Sequence, residues 1–361
     1  LFPLLYCYIV ESSKTKKLKK LYHLVALLTL TLCSQFATAQ DIHFSQIGYA
    51  PLHLNPALTG IFEGDMRLIG NYRTQWNTVP VGYETFSGAY DMSFLNKNYE
   101  RRFFSAGVML THDQAGDSRL SFTNVVISGS YTHRVAKGHY LTAGLAGAFT
   151  HKYFDVSGLQ FDRQFSDETR SFDPTLDARE ANLLANNTTG FADISGGFNW
   201  HYRAPSRAKR TSFDVGIASM HFNQPAKPFL DDKAEQLPMR WSMYGFGNIE
   251  IVGAFDLLLH ATYQDQGPHR EMIYGAGLQY HINTDFDKEF AIQAALNRRS
   301  EDALSFMLGM RYRMWKGAFS YDLNTSDFAV ATNRRAGPEL SIIYIINRVK
   351  IMPTKICPAY L

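Results

Sequence analysis

Eleven of the twelve histidines lie beyond residue 39. With the carboxylates, they are the first places to look for a base, a nucleophile partner or a metal site. Enzymatic chemistry needs a nucleophile and a base fixed within hydrogen-bond reach. The chain holds no His-Glu-x-x-His pair and no Gly-x-Ser-x-Gly turn. His260 and His281 share polar positions with Gln264 and Gln279 and read as solvated lumen histidines. Asp113 and Asp117, in Asp-Gln-Ala-Gly-Asp-Ser, lack the ligand density of a calcium loop and read as an Asx-rich turn in an outer loop. Asp231, Asp232 and Glu235 read as a solvated loop. No catalytic residue, cofactor or metal site is expected. The other charges form a mixed field, with Arg67, Arg73, Arg311, Arg313 and Lys316 set against Asp91, Asp256 and Asp322. Such groups either pair across a packed lumen and brace it, or line an open pore without a single-sign ring.

Those charges sit on elements with two unlike faces. Phe255, Leu257, Leu259, Ala261 and Tyr263 alternate with Asp256, Leu258, His260, Thr262 and Gln264. Leu304, Phe306, Leu308, Met310 and Tyr312 alternate in the same way with Ser305, Met307, Gly309, Arg311 and Arg313. Period-two alternation in segments of about ten residues separated by Gly, Asn, Asp and Pro marks strands. The intervals are 66–76, 83–95, 102–112, 120–134, 138–153, 189–203, 211–221, 237–249, 252–266, 272–283, 287–297, 302–314, 315–324 and 337–347. About fourteen antiparallel strands, an even number, suit a closed outer-membrane barrel. The connections alternate between short ones and long polar ones such as 154–188 and 222–236. That asymmetry puts short turns on the periplasmic side.

Either a soluble or a membrane barrel has such strands, and they differ in whether the apolar face points in or out. Export decides for lipid. Lys14 to Lys20 precede the apolar run Leu24 to Leu32, and Ala37-Thr38-Ala39 fits a small-x-small cleavage site. Residues 1–39 are therefore an N-terminal extension and signal peptide, cleaved near Ala39. Aromatics at strand ends, among them Trp76, Tyr83, Tyr131, Tyr153, Trp200, Tyr263, Tyr312 and Trp315, suit interfacial girdles. The presequence also holds five of the 36 basic residues and one of the 33 acidic ones, so the remainder is near neutral. A nucleic-acid partner is not expected. Cys357 alone remains after the presequence, which excludes an intramolecular disulfide.

The organisation expected is an arm over 40–65, an all-β transmembrane barrel over 66–347 and a tail over 348–361. Arm and tail are expected outside the barrel on its periplasmic side. Asn55-Pro56 favours a turn, because the residue before proline is pushed out of the α region, and Gly60 can supply a positive φ.

Phe44-Ser45-Gln46, then Leu54-Asn55-Pro56-Ala57-Leu58-Thr59-Gly60, then Tyr72-Arg73-Thr74-Gln75-Trp76 resemble the N-terminal signature of the PorP/SprF family. Glu339-Leu340-Ser341 and the tail residues Lys355, Cys357 and Pro358 resemble its terminus. The resemblance implies a noncatalytic outer-membrane component of the type IX secretion and gliding machinery of Bacteroidetes. Its partners would be outer-membrane lipid and either periplasmic ring proteins or a secreted surface adhesin. Phe44, Ser45, Gln46, Asn55, Pro56, Gly60, Tyr72, Arg73, Gln75 and Trp76 are the partner-binding candidates it carries; the arm motif could equally do no more than plug or brace the periplasmic mouth. The alternative function is an outer-membrane channel for small solutes.

Overall fold

The computed structural model describes residues 41–347 except 77–81, 95–101, 117–118, 156–158, 167–169, 174, 177–187, 207–208, 227–235, 286–287 and 301. The presequence, the tail with Cys357, and Asp117, Asp231, Asp232 and Glu235 lie outside the described residues.

Alternation becomes strand at each of the fourteen expected places. The barrel opens with β1 (Met66–Gln75), β2 (Tyr83–Phe94), β3 (Arg102–Ala115), β4 (Leu120–Ala136) and β5 (His139–Tyr153). A small hairpin of β6 (Phe165–Ser166) and β7 (Ser171–Phe172) interrupts the long connection. The wall resumes with β8 (Thr188–Arg203), β9 (Ser212–Met220), β10 (Arg240–Val252), β11 (Phe255–Gln266) and β12 (His269–Asn283). It ends with β13 (Phe290–Arg299), β14 (Ala303–Tyr312), β15 (Trp315–Asn324) and β16 (Arg335–Ile346). All except β6 and β7 form one closed antiparallel barrel, sealed by β1 against β16 from Met66↔Ile346 to Arg73↔Glu339.

Several strands run longer than the sequence pattern indicates. β12 starts at His269 rather than 272, because Gly267 takes φ +57° and closes a two-residue hairpin. β3 reaches Ala115, so Asp113 is not in an outer loop. It is a buried lumen residue whose carboxylate accepts a 2.5 Å bond from Thr85 Oγ1. Arg313, expected on the lumen face, instead lies in the exposed β14–β15 turn with φ +52°.

The start of β1, the end of β16 and the strand ends joined between β2 and β3, β4 and β5, β8 and β9, β10 and β11, β12 and β13, and β14 and β15 share one side, here the turn side. The opposite, loop side holds the ends of β5, β8, β9 and β10 that the two longest connections join. The apolar face of the strands points outward: Ile127, Leu145, Phe198 and Leu308 are each 66–68% exposed. The inward face buries Asp91, Asp256, Asn297, Ser320 and Glu339. A wall inverted in this way is stable where the surroundings are hydrocarbon, since exposing apolar area to water costs about 25 cal/mol per Å². Aromatic pairs cluster on the turn side: Phe104–Tyr131, Phe255–Tyr280, Phe290–Tyr312 and Trp315–Tyr344 have ring centroids 4.3–6.1 Å apart.

The arm is not outside the barrel. Residues 43–60 fill the lumen as short turns, Ile47–Tyr49, the single α-turn Pro51–Leu54 and Pro56–Leu58, with their contacts on the inner wall. Both later turns begin with proline, which lacks only the N–H that a first helical position leaves unbonded. Room for them comes from the wall: a Cβ on Gly144 would collide with the backbone of Pro56 and Ala57.

Candidate functional site

The lumen holds the one concentration of buried polar groups among the described residues that involves the motif, and the arm is built into it in three tiers. At the loop side, Glu339 on β16 accepts the backbone N–H of Ser45 at 2.8 Å and of Gln46 at 2.9 Å. The Gln46 side chain donates to Glu339 O and Ser320 Oγ at 2.8 and 2.9 Å. Ser45 Oγ donates to Asp322 Oδ2 at 2.6 Å. Arg299 and Arg73 pair with the same Asp322 oxygen at 2.6 and 3.2 Å, and Arg73 lies 3.8 Å from Glu339. Arg73 also donates to the His43 carbonyl, and Arg299 bonds the His43 ring at 2.7 Å. Arg299 lies also 3.0 Å from Asp302 and 3.8 Å from Glu271, so two guanidinium groups sit among four carboxylates around a length of backbone. Such pairing is what makes buried charge tolerable.

In the middle tier, Asn55 is extended, as its place before Pro56 requires, with φ −158° and ψ 125°. Its Oδ1 accepts from Ala57 N at 2.7 Å, capping the Pro56–Leu58 turn. Its Nδ2 points at Phe198 O, Ile217 O and the Tyr244 hydroxyl, 3.0–3.2 Å away. Tyr244 donates onward to Asn199, which bonds Asp214. Thr59 donates to Ser128 Oγ and accepts from Ser130 Oγ. Gly60 takes φ +76° as expected, and its N–H meets Asp91 at 2.7 Å. Ile47, Leu54 and Leu58 pack with Tyr244 and Ile273 into an apolar cluster inside the lumen.

On the turn side, Arg67 binds both oxygens of Asp91 at 2.7 and 2.9 Å, donates to Leu58 O and stacks on Phe62. Glu63 pairs with Arg203 at 2.9 Å, and Asp65 N bonds Ile346 O where the arm joins β1. Arg210, between β8 and β9, also reaches inward. Arg210 bonds Asp256, which also pairs with His281 at 2.9 Å. The bond to Asp256 raises the Arg210 guanidinium above its usual value.

The motif residues separate by position. Phe44, Ser45, Gln46, Asn55, Pro56 and Gly60 are buried in the arm, and Arg73 is buried in the wall facing them. Tyr72 points outward and donates to Glu84 at 2.7 Å. Trp76 meets Tyr83 edge-on at 5.3 Å, and Gln75 is half-buried at the loop-side end of β1. The paired lumen charges Arg67–Asp91 and Arg73–Asp322 follow the expected bracing, whereas Asp256 takes its partner from a turn. Arg299 and Tyr244 escaped the sequence reading, although the alternation of β13 and β10 puts both on the inward face. Among the described residues no group of three or more His, Cys, Asp and Glu side chains could hold a metal ion.

A closed fourteen-strand barrel with an apolar outer wall and a polar, filled lumen defines the class: a bacterial outer-membrane β-barrel protein. The model of the family described as type IX secretion system membrane protein PorP/SprF matches residues 36–344, and the chain belongs to that family. No curated protein matches it. Among solved structures it is similar to the toluene transporter TbuX of Ralstonia pickettii, with 14% identity and a TM-score of 0.50 over 82% of this chain and 93% of that one. The toluene transporter TodX of Pseudomonas putida aligns at 8% identity and a TM-score of 0.46, over 85% of this chain and 94% of that one. At 14% identity the likeness to TbuX is one of fold.

Proposed function

We propose that this chain is a noncatalytic scaffold of the type IX secretion and gliding machinery, anchoring periplasmic secretion components or a secreted surface adhesin at the outer membrane. The observation that carries the reading is the arm. A lumen occupied along its length by its own chain, with buried ion pairs on that chain's backbone, is built for rigidity rather than passage. Partner contacts then fall to the surfaces the barrel leaves open, its loops and turns. The motif residues serve that role in two ways. The seven lumen members fix the arm to the inner wall, while Gln75 and Trp76 at the loop-side end of β1 are left for a partner.

Reconstituted protein should show no large, steady single-channel conductance; finding one would sink the scaffold reading in favour of a small-solute channel. Affinity capture of the tagged protein from envelopes in mild detergent should recover type IX components or an adhesin. Recovery of neither would remove the partnership.

A further inference from the structure

The outer wall is uneven where β4, β5, β8, β9 and β10 lie side by side. One rung of its outward face runs Gly129, Leu145, Gly196, Ser219 and Trp241 over these strands. The rung beside it carries Ala143 between Tyr131 and Phe198. The small residues Gly129, Ala143, Gly196 and Ser219 leave a groove of about 870 Å³ between the larger ones. It starts at the loop-side ends of β9 and β10, beside Phe222 and Trp241, and ends at the Phe104–Tyr131 ring pair toward the turn side. Inside it Ser219 is 3% exposed, and its hydroxyl finds no hydrogen-bond partner among the described residues. Ile217, two residues before it, is exposed on the outer wall, so Ser219 faces the bilayer and not the lumen. A hydroxyl without a partner is costly in hydrocarbon, where no water replaces the missing bond.

From the groove and its unmet donor we infer that the wall binds one zwitterionic phospholipid, with an acyl chain lying in the groove and its ester carbonyl accepting from Ser219. Trp241 marks the depth of the membrane interface, where the ester groups of a lipid lie. Hydrocarbon already surrounds the wall, so burying a chain there releases no water. Selection therefore comes from close packing and from the hydrogen bond. The headgroup follows from charge. At the loop-side ends of β11 and β12, Asp265 stands opposite Trp241 and Arg270 opposite Asp265, the last two 3.2 Å apart and both exposed. A guanidinium binds phosphate, and the carboxylate beside it binds an ammonium group. The pair thus matches a headgroup that carries one of each. A lipid with phosphates and no ammonium group would meet the Asp265 charge as a repulsion.

The test is native mass spectrometry on the full chain, folded into vesicles of phosphatidylethanolamine, phosphatidylglycerol and lipid A and then exchanged into mild detergent. One phosphatidylethanolamine should stay on each chain. Ala143→Phe, which fills the groove floor, should abolish that adduct, whereas Ala276→Phe, on the exposed outer face of β12, should leave it intact. Ser219→Ala should lower its occupancy several-fold, the scale of one hydrogen bond. Heat-modifiable migration reports folding for every variant, and Gly129→Leu takes the place of Ala143→Phe if that chain does not fold. No retained lipid, or equal retention in the Ala143→Phe and Ala276→Phe proteins, would overturn the site. Preferential retention of phosphatidylglycerol or lipid A would overturn the zwitterionic headgroup. A dimer that Ala143→Phe dissociates and Ala276→Phe does not would give the groove to a second copy of the chain and overturn the lipid.

Discussion

The Glu339 carboxylate should decide whether the leading end of the arm is held, and Glu339→Ala tests it. In the native lumen this group accepts two backbone N–H bonds at 2.8 and 2.9 Å and lies 3.8 Å from Arg73. A hydrogen bond to a charged group contributes about 1.5–3 kcal/mol. Removing one partner of a buried ionic set costs about 3–5 kcal/mol, because the groups left behind stay desolvated. Taking about 4 kcal/mol, the docked-to-undocked ratio of residues 43–49 should fall by roughly a thousandfold, at 1.4 kcal/mol per factor of ten. Hydrogen exchange by mass spectrometry on detergent-solubilised protein reads this directly. Peptides covering 43–49 should lose most of their protection, while those covering 55–60 keep theirs through Asn55, Thr59 and Gly60. Glu339→Gln should be intermediate: its carbonyl oxygen can accept one of the two N–H groups, but its own NH₂ faces the other. Unchanged protection at 43–49 in Glu339→Ala would refute the clamp, and equal loss at 55–60 would refute the independence of the tiers.

Gly144→Leu should expel the middle of the arm, because the new side chain occupies the space of Pro56 and Ala57; planar-bilayer recordings should then show conductance that the parent lacks. Asn55→Asp should be more damaging than Asn55→Ala, since a carboxylate would face the carbonyl oxygens of Phe198 and Ile217; thermal unfolding in detergent would rank the two. Leu308→Arg, on the outer wall, should destabilise folding into lipid vesicles by about 2–4 kcal/mol, the cost of a cation near the bilayer midplane. Val330→Arg, in an 88% exposed loop position, should leave that stability unchanged. Similar losses for both would argue against lipid on the outer wall.

The wall was legible in the sequence because a strand with lipid on one side and a polar lumen on the other must alternate, and alternation survives without long-range information. Leu304 to Tyr312 show it directly, and the structure keeps the face split given by their order. Strand ends were less legible. Gly267 and Gly253 tighten hairpins that composition alone places within a residue or three. The arm's location could not be read from its pattern. Residues 42–65 have no alternation, and their burial depends on wall residues up to 294 positions away, such as Glu339 beneath Ser45. Some sign of it was present: charges of both signs on inward faces need partners, and Asp91 and Asp322 could have been asked what, besides Arg67 and Arg73, they hold.

The arm also changes what the motif residues mean. As a docking surface outside the barrel, Asn55 and Gly60 would be replaceable by other polar or flexible residues. Inside the lumen each is fixed by geometry: Asn55 must cap Ala57 and donate to the wall at once, and Gly60 must hold φ +76° against Ser105 with no side chain. Aspartate can cap but cannot donate when ionised, and alanine at 60 would meet both a strained backbone and the Ser105 side chain. The segment that carries the family likeness is therefore the segment threaded through the lumen and bonded to its inner wall. With the arm threaded through the lumen, the scaffold role proposed above leaves partner contacts to the rims, from Trp76 on one side to Arg210 on the other.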